Sequence, residues 1–338
     1  MEPLVRAVDE LANAGGFSGV VRVDRGGELV LAAAYGLADR AHGIANTVDT
    51  QFAIASACKG LTALAIVSLV EDGQLELSTT ARSVLGPDLP LIRDDVTVEH
   101  LLAHRSGIGD YLDEDEEHDL ADYLMPVPVH ELATSEQYLV ALDGHPTKFP
   151  PGERFAYSNS GYVVLALIAE RTSGVPFHEL VHRRVCEPAG MRNSAFLRSD
   201  ELPGSAALGY LTVDGATRTN VFHLPVRGSG DGGMYSTVED FASFWDALFD
   251  GRIVPKEWVA RMVRPRSHVP RLSRRYGLGF WLRETTGLPL LEGYDTGVSS
   301  CSVHDPEREI THTVMSNTSE GTWPMTRLLA DLLETTTD

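Results

Sequence analysis

A chain of 338 residues with 28 Lys and Arg against 48 Asp and Glu carries a formal charge of −20. That excludes a generic phosphate-backbone binder and a protein that docks electrostatically on anionic lipid. With 43% hydrophobic and 22% charged residues, the chain is globular in composition, long enough for one large domain or two ordinary ones and for a core that needs no disulfide.

Residues 1–20 lack a basic stretch followed by a long apolar run and read as a short amphipathic helix ending near Gly15 and Gly16. Residues 19–23 and 29–34 read as strands joined by a turn at Arg25-Gly26-Gly27. A helix is expected over 56–72, stopped by Gly73; its apolar stretch 61–70 is too short to span a bilayer. From about 75 to 191 helical segments alternate with Pro and Gly, among them a helix at 98–102 capped by Thr97 and an apolar helix over 161–171. Strand character returns at 276–281, 298–304 and 309–315, the last two around an Asp305-Pro306-Glu307 turn, and residues 327–334 close the chain as a helix. The pattern predicts an α+β fold in two parts. Residues 1–78 and 205–338 would form a sheet domain flanked by helices, and 79–204 an inserted, mainly helical domain. Cys58, Cys186 and Cys301 form no CxxC, so neither a disulfide framework nor structural zinc is expected. A soluble protein of a reducing compartment, the cytoplasm, is the simplest expectation, and the acidic run 113–117 reads as a solvated loop.

The sharpest chemical feature is Ser56-Ala57-Cys58-Lys59. Residues three apart share a helix face, so the Ser56 hydroxyl and the Lys59 amine can meet. A lysine heading a buried helix must be paired or lose its proton, and a neutral amine beside a hydroxyl is a general base for a serine nucleophile. The helix start adds backbone N–H groups suited to an oxyanion. Scarcity sharpens the signal, for the only lysines are Lys59, Lys148 and Lys256. Next, Tyr157 and Asn159 flank one residue just before a helix, which presents a phenol and a carboxamide together. Last comes Glu292-Gly293-Tyr294-Asp295-Thr296-Gly297-Val298, a glycine-containing turn running into a late strand, where a ligand can approach closely.

These motifs, with the stretches 101–108, 186–191 and 232–237, resemble the serine β-lactamase and penicillin-binding-protein superfamily over most of residues 15 to 335. The pattern is most similar to its class C-like branch of β-lactamases, DD-peptidases and family VIII carboxylesterases. The resemblance implies a β-lactamase-like fold, an antiparallel sheet flanked by helices from both termini. It implies Ser56 as the acylated nucleophile, Lys59 as its proton acceptor, Tyr157 as proton shuttle and Asn159 as substrate holder. Asp295-Thr296-Gly297 would stand for the Lys/His-Thr-Gly turn, with the Ser56 and Val298 N–H groups as the oxyanion hole. No metal or organic cofactor is implied. Asp295 replaces the family's cation and reverses its sign, which disfavours anionic substrates; Arg227 is the one basic residue considered as compensation.

The expected function is therefore a serine hydrolase cleaving a neutral ester or small amide. A D-Ala-D-Ala peptidase or β-lactamase-type enzyme, an acyltransferase and an inactive binding module remain as alternatives. The expected partner is a small-molecule ester or amide, not nucleic acid or a membrane. His178-Glu179-Leu180-Val181-His182 fits the HExxH zinc pattern, but Pro188 and Gly190 break the helix and the extended form is missing; two exposed histidines are the expected reading. No GxSxG elbow occurs, and Ser229 between two glycines signals only a loop.

Overall fold

The computed structural model describes residues 2–114 and 125–334, so the end of the acidic run lies outside the described residues. The sheet has eight strands: β1 (Gly19–Arg25), β2 (Glu28–Tyr35), β3 (Ser267–Val269), β4 (Arg274–Tyr276), β5 (Trp281–Arg283), β6 (Pro289–Asp295), β7 (Val298–Asp305) and β8 (Ile310–Ser316). Their order is β2-β1-β8-β7-β6-β5-β4-β3, antiparallel throughout. Gly19 pairs with Ser316, so the first strand is stitched beside the last one. That register makes the sheet depend on both ends of the chain and gives it the β-lactamase-like α+β architecture.

The single strand expected at 276–281 is two strands. Gly277 donates its N–H to the Phe280 carbonyl and Gly279 sits at φ +85°, which folds the segment back as a β4–β5 hairpin. Strands β3 and β6 had no clear sequence signal: one is three residues long and the other begins at Pro289.

Five longer helices accompany this sheet, α1 (Glu2–Gly15), α2 (Lys59–Glu71), α3 (Asn159–Ser173), α4 (Val238–Asp250) and α5 (Thr322–Leu333), of which α3 packs on α2 and shorter helices, not on the strands. Every residue of α2 from Lys59 to Leu69 is buried, as its apolar sequence requires. It approaches the sheet at glycines: a Cβ on Gly60 would stand 2.5 Å from Leu291 of β6, and one on Gly279 would strike Ala63. Helix α3 starts where the Ser158 hydroxyl accepts the Gly161 N–H and ends at left-handed Gly174. The short helix Val98–Leu102 has the expected Thr97 cap, completed by His100. Buried Trp245 of α4 donates to Ser302 of β7 at 2.8 Å, fixing that helix to the sheet. Among the described residues, no helix is long and apolar enough to cross a membrane.

Candidate active site

Ser56 does not begin a long helix. It lies in a 3-10 turn, Ala55–Cys58, that leads into α2 at Lys59. Ala55 before it is held at φ +46°, a strained conformation for a residue with a side chain. Lys59 is only 2% exposed. Its Nζ donates to Ser56 Oγ at 2.9 Å, to Asn159 Oδ1 at 2.8 Å and to the Asp231 carbonyl at 2.6 Å. The last two acceptors carry no proton to exchange. Of these three partners, only the Ser56 hydroxyl can exchange a proton with Lys59.

Tyr157 and Asn159 arrive from the start of α3. Asn159 also donates to the Leu112 carbonyl at 3.2 Å and to Glu114 at 3.1 Å, so its amide is gripped from both ends. Lys59 Nζ lies 4.9 Å from the centre of the Tyr157 ring. Burial, then the charge of Glu114, holds the Tyr157 phenol well above its ordinary value, while its hydrogen bond with Ser56 pulls the other way. Tyr157 is thus a neutral phenol with a proton to give. Fully buried His104 lies with its ring centre 4.3 Å from that of Tyr157, tilted by 34°, and accepts the Ser158 N–H on Nδ1 at 3.1 Å, which assigns the ring proton to Nε2. Burial, then the Lys59 charge, keeps that imidazole neutral.

The sheet meets the nucleophile at Gly293. Strand β6 pairs with β5 only at Pro289 and Leu290, and the rest of it runs along the Ser56 turn. A Cβ on Gly293 would fall 2.7 Å from Ser56 N and 2.8 Å from Ala57 N, and would strike the Ile54 carbonyl. Only glycine permits this approach. The β6–β7 hairpin closes through Thr296-Gly297, with Asp295 opposite Val298 and Tyr294 opposite Ser299. In a two-residue hairpin the closing pair exchanges both its hydrogen bonds, and the next pair turns its N–H groups outward. Val298 N–H is consequently spent inside the ladder, and its side chain packs with Ala53 and Ala55. Tyr294 N–H is the one that the alternation aims at the edge beside Ser56.

The structure therefore brings together Ser56, Lys59, Tyr157 and Asn159, but not the expected turn. The Thr296 carbonyl accepts from Asn220 at 2.9 Å, and Gly297, at φ +76°, donates to Ser319 at 2.8 Å. Asp295 is half-buried and accepts the Thr296 N–H at 2.8 Å. Burial, the strongest influence, pushes its carboxyl up to about 7; the charges of Asp231 and Glu114 act in the same direction against Thr296 N–H and Lys59. Arg227 offers no compensation, since it donates to the Phe196 carbonyl at 2.9 Å. Sequence reasoning placed the second oxyanion donor on Val298, after Gly297, whereas Gly293, inside a strand, was the usable signal. It also missed Asp231, whose loop wraps α2: Thr62 donates to the Gly230 carbonyl at 2.7 Å, and a Cβ on Gly230 would strike Tyr162. The Gly-Ser-Gly-Asp-Gly-Gly run was that residue's signal.

The HExxH histidines part company. His178 is half-buried against Phe196 and bonded to the Gly228 carbonyl at 2.7 Å, while His182 is exposed beside Glu187. The expectation of two exposed histidines thus holds for one. Among the described residues no cluster of His, Cys, Asp and Glu suits a metal ion.

A serine with a buried lysine one turn on, a neutral tyrosine and a glycine-lined strand edge is an arrangement suited to nucleophilic serine chemistry. The chain belongs to the β-lactamase family, whose model, described as Beta-lactamase, matches residues 4–336. Esterase EstB of Burkholderia gladioli is 33% identical over 299 residues, which cover 77% of this chain and 73% of EstB. PbpX of Bacillus subtilis is 30% identical over 267 residues, 79% of this chain and 62% of PbpX, so the chain spans about three-fifths of that relative. The crystal structure of a penicillin-binding protein from Bacillus halodurans superposes with a TM-score of 0.91 at 35% identity, covering 96% of this chain and 100% of that one.

Proposed function

We propose that the protein hydrolyses an uncharged ester or small amide through an acyl-enzyme on Ser56. The carrying observation is Lys59 Nζ, 2.9 Å from Ser56 Oγ and committed elsewhere to acceptors that cannot exchange a proton. The step requires Lys59 in its free-base form, which accepts the Ser56 proton as Oγ attacks the carbonyl carbon. The Ser56 and Tyr294 N–H groups receive the oxyanion. As the carbonyl reforms, the bond to the leaving group breaks, and that group takes the Tyr157 proton, which Lys59 then restores. Water repeats the sequence in reverse roles and releases the acid.

The leaving group departs on the Tyr157 side, into a cleft of about 150 Å³ shared by Ser56, Tyr157, Trp281, Tyr294 and Trp323. Its aromatic walls suit an apolar group. Among the described residues around Ser56, the carboxylates of Glu114, Glu292, Asp231 and Asp295 outnumber the cations Lys59, Arg271 and Arg274, which weighs against an anionic substrate. The similarity to EstB supports an ester.

Intact-protein mass after brief incubation with p-nitrophenyl butyrate, beside a parallel sample with benzylpenicillin, tests the reading. A transient butyryl adduct with steady nitrophenol release, absent in Ser56→Ala, is expected. A durable penicilloyl adduct without ester turnover would instead assign a peptidase-like penicillin binder.

A further inference from the structure

His104 is held in a conformation that a side chain ordinarily resists. The helix Val98–Leu102 is closed by Ala103, and the next residue sits at φ +52°, a left-handed position that glycine fills without strain. Strain of this kind persists where the surroundings make use of it. The polar contacts of His104 converge on the backbone around Tyr157. Its carbonyl accepts the Ala156 N–H at 2.9 Å, and its Nδ1 accepts the Ser158 N–H at 3.1 Å. One residue thus takes both N–H groups that flank Tyr157, one on its backbone and the other on its ring. The same ring lies 4.3 Å from the Tyr157 ring, so segment and phenol are held together.

The imidazole is placed to accept a hydrogen bond, not to carry protons. It is fully buried, and its Nε2 has no hydrogen-bond partner. Around it stand the rings of Phe155, Tyr162 and Tyr276, at 5.8, 4.9 and 4.7 Å. An unpaired buried donor is unfavourable, so a side chain that merely filled this space would do better as an apolar one. What the imidazole adds is the acceptor at Nδ1. Protonation would turn that acceptor into a donor facing the Ser158 N–H and would set a second charge near Lys59; burial and the Lys59 charge oppose it. The Tyr157 phenol in turn bonds with Ser56, and proton transfer from it demands close placement.

We propose that His104 is a positioning residue for Tyr157, clamping residues 156–158 and the phenol ring so that the Tyr157 proton reaches the departing oxygen of the substrate. The inference rests on Tyr157 being the proton donor to the leaving group and adds what holds that donor in place.

The test compares two esters with one acyl group, p-nitrophenyl butanoate and ethyl butanoate. Nitrophenolate departs without a proton, whereas ethoxide must leave as the alcohol, so the ethyl ester depends far more on a well-placed Tyr157. The readout is the ratio of kcat/KM, p-nitrophenyl over ethyl, which covers the steps up to acylation. Tyr157→Phe sets the reference and should raise the ratio by about 100-fold or more. His104→Leu, similar in bulk but without the acceptor, should raise it by at least about tenfold, and should add nothing further in the Tyr157→Phe background. His104→Asn tolerates the left-handed backbone and can place its amide oxygen where Nδ1 stands, so it should bring the ratio most of the way back. A purely structural role would slow both esters alike and leave the ratio unmoved. A ratio unchanged in His104→Leu but raised in Tyr157→Phe overturns the clamp and leaves the tyrosine's role standing. A ratio unchanged in Tyr157→Phe takes down the proton-donor reading and the clamp with it. One measurement needs no variant: nitrogen-15 NMR of the histidine-labelled protein should show His104 protonated on Nε2 alone and unchanged between about pH 5 and 9. A ring that titrates in that range, or that carries its proton on Nδ1, overturns the clamp.

Discussion

The two sides of the Ser56 turn differ in how their polar groups are matched. On the cleft side, Lys59, Asn159 and Tyr157 form a closed set in which each lysine hydrogen bond has an acceptor and the amide is held at both ends. On the other side, at a cavity walled by Tyr111, Tyr138 and Tyr235, Asp231 and Asp295 face apolar and aromatic walls with no ion-pair partner among the described residues. A matched set keeps its geometry without a ligand, as positioning for proton transfer requires. An unmatched set stores a preference for whatever completes it.

The largest effects should come from breaking the matched side. Ser56→Ala should lower turnover by about five orders of magnitude or more, with the far-ultraviolet dichroism unchanged. Lys59→Ala and Tyr157→Phe should each cost about 10²–10⁴ in kcat, and the double variant little more than the worse single one, since both serve one proton path. Retention of most activity in Lys59→Ala would remove the lysine from that path.

The next effect tests where the strand contributes. Tyr294→Pro deletes the N–H that the β6–β7 register aims at Ser56. Proline is tolerated at a strand edge whose N–H is not spent in the ladder. A loss of about 10²–10³ in kcat with little change in KM is expected, the scale for one oxyanion donor. Unchanged kcat in a folded Tyr294→Pro protein would move the oxyanion site away from this strand. Gly293→Ala sharpens the same point through stability, because its Cβ meets the backbone of Ile54, Ser56 and Ala57. A cost of about 3 kcal/mol, or a shifted turn with lost activity, should appear in denaturant unfolding.

The matched side was legible in the sequence and the unmatched side was not. Spacing within one helical turn puts Ser56 against Lys59, and the residues just before α3 present Tyr157 and Asn159; both are local geometry. Strands β1, β2, β7 and β8 were legible from their alternation and turns, as was the N-cap at Thr97. The β6 edge and the cavity depend on register and on loops brought from 111, 138, 231 and 295, which no local pattern encodes. Of the two glycines four residues apart, Gly293 and Gly297, the sequence reading used only Gly297 for the last motif. Only the pairing of Asp295 with Val298 shows which N–H groups face the nucleophile.

The smallest effect reads the unmatched side directly, through its protons. Asp295 is raised to about 7, by burial first, with Asp231 and Glu114 adding to it and Thr296 N–H and Lys59 opposing; Tyr138 also senses its charge. An ordinary aspartate titrates near 4 in the unfolded chain. Between about pH 4 and 7 the unfolded chain therefore holds fewer protons at this site than the folded one, and stability falls as pH rises through that window. Above it both forms are ionised and the loss is complete. Asp295→Asn has no such proton, so its Tm should match that of the wild type near pH 4 and exceed it by about 3 °C at pH 8. Asp231, also raised mainly by burial, supplies a background of the same sign in both proteins, which the subtraction largely removes. A difference flat from pH 4 to 8 would mean that Asp295 is solvated like any surface aspartate, and the contrast between the two sides of Ser56 would fail there.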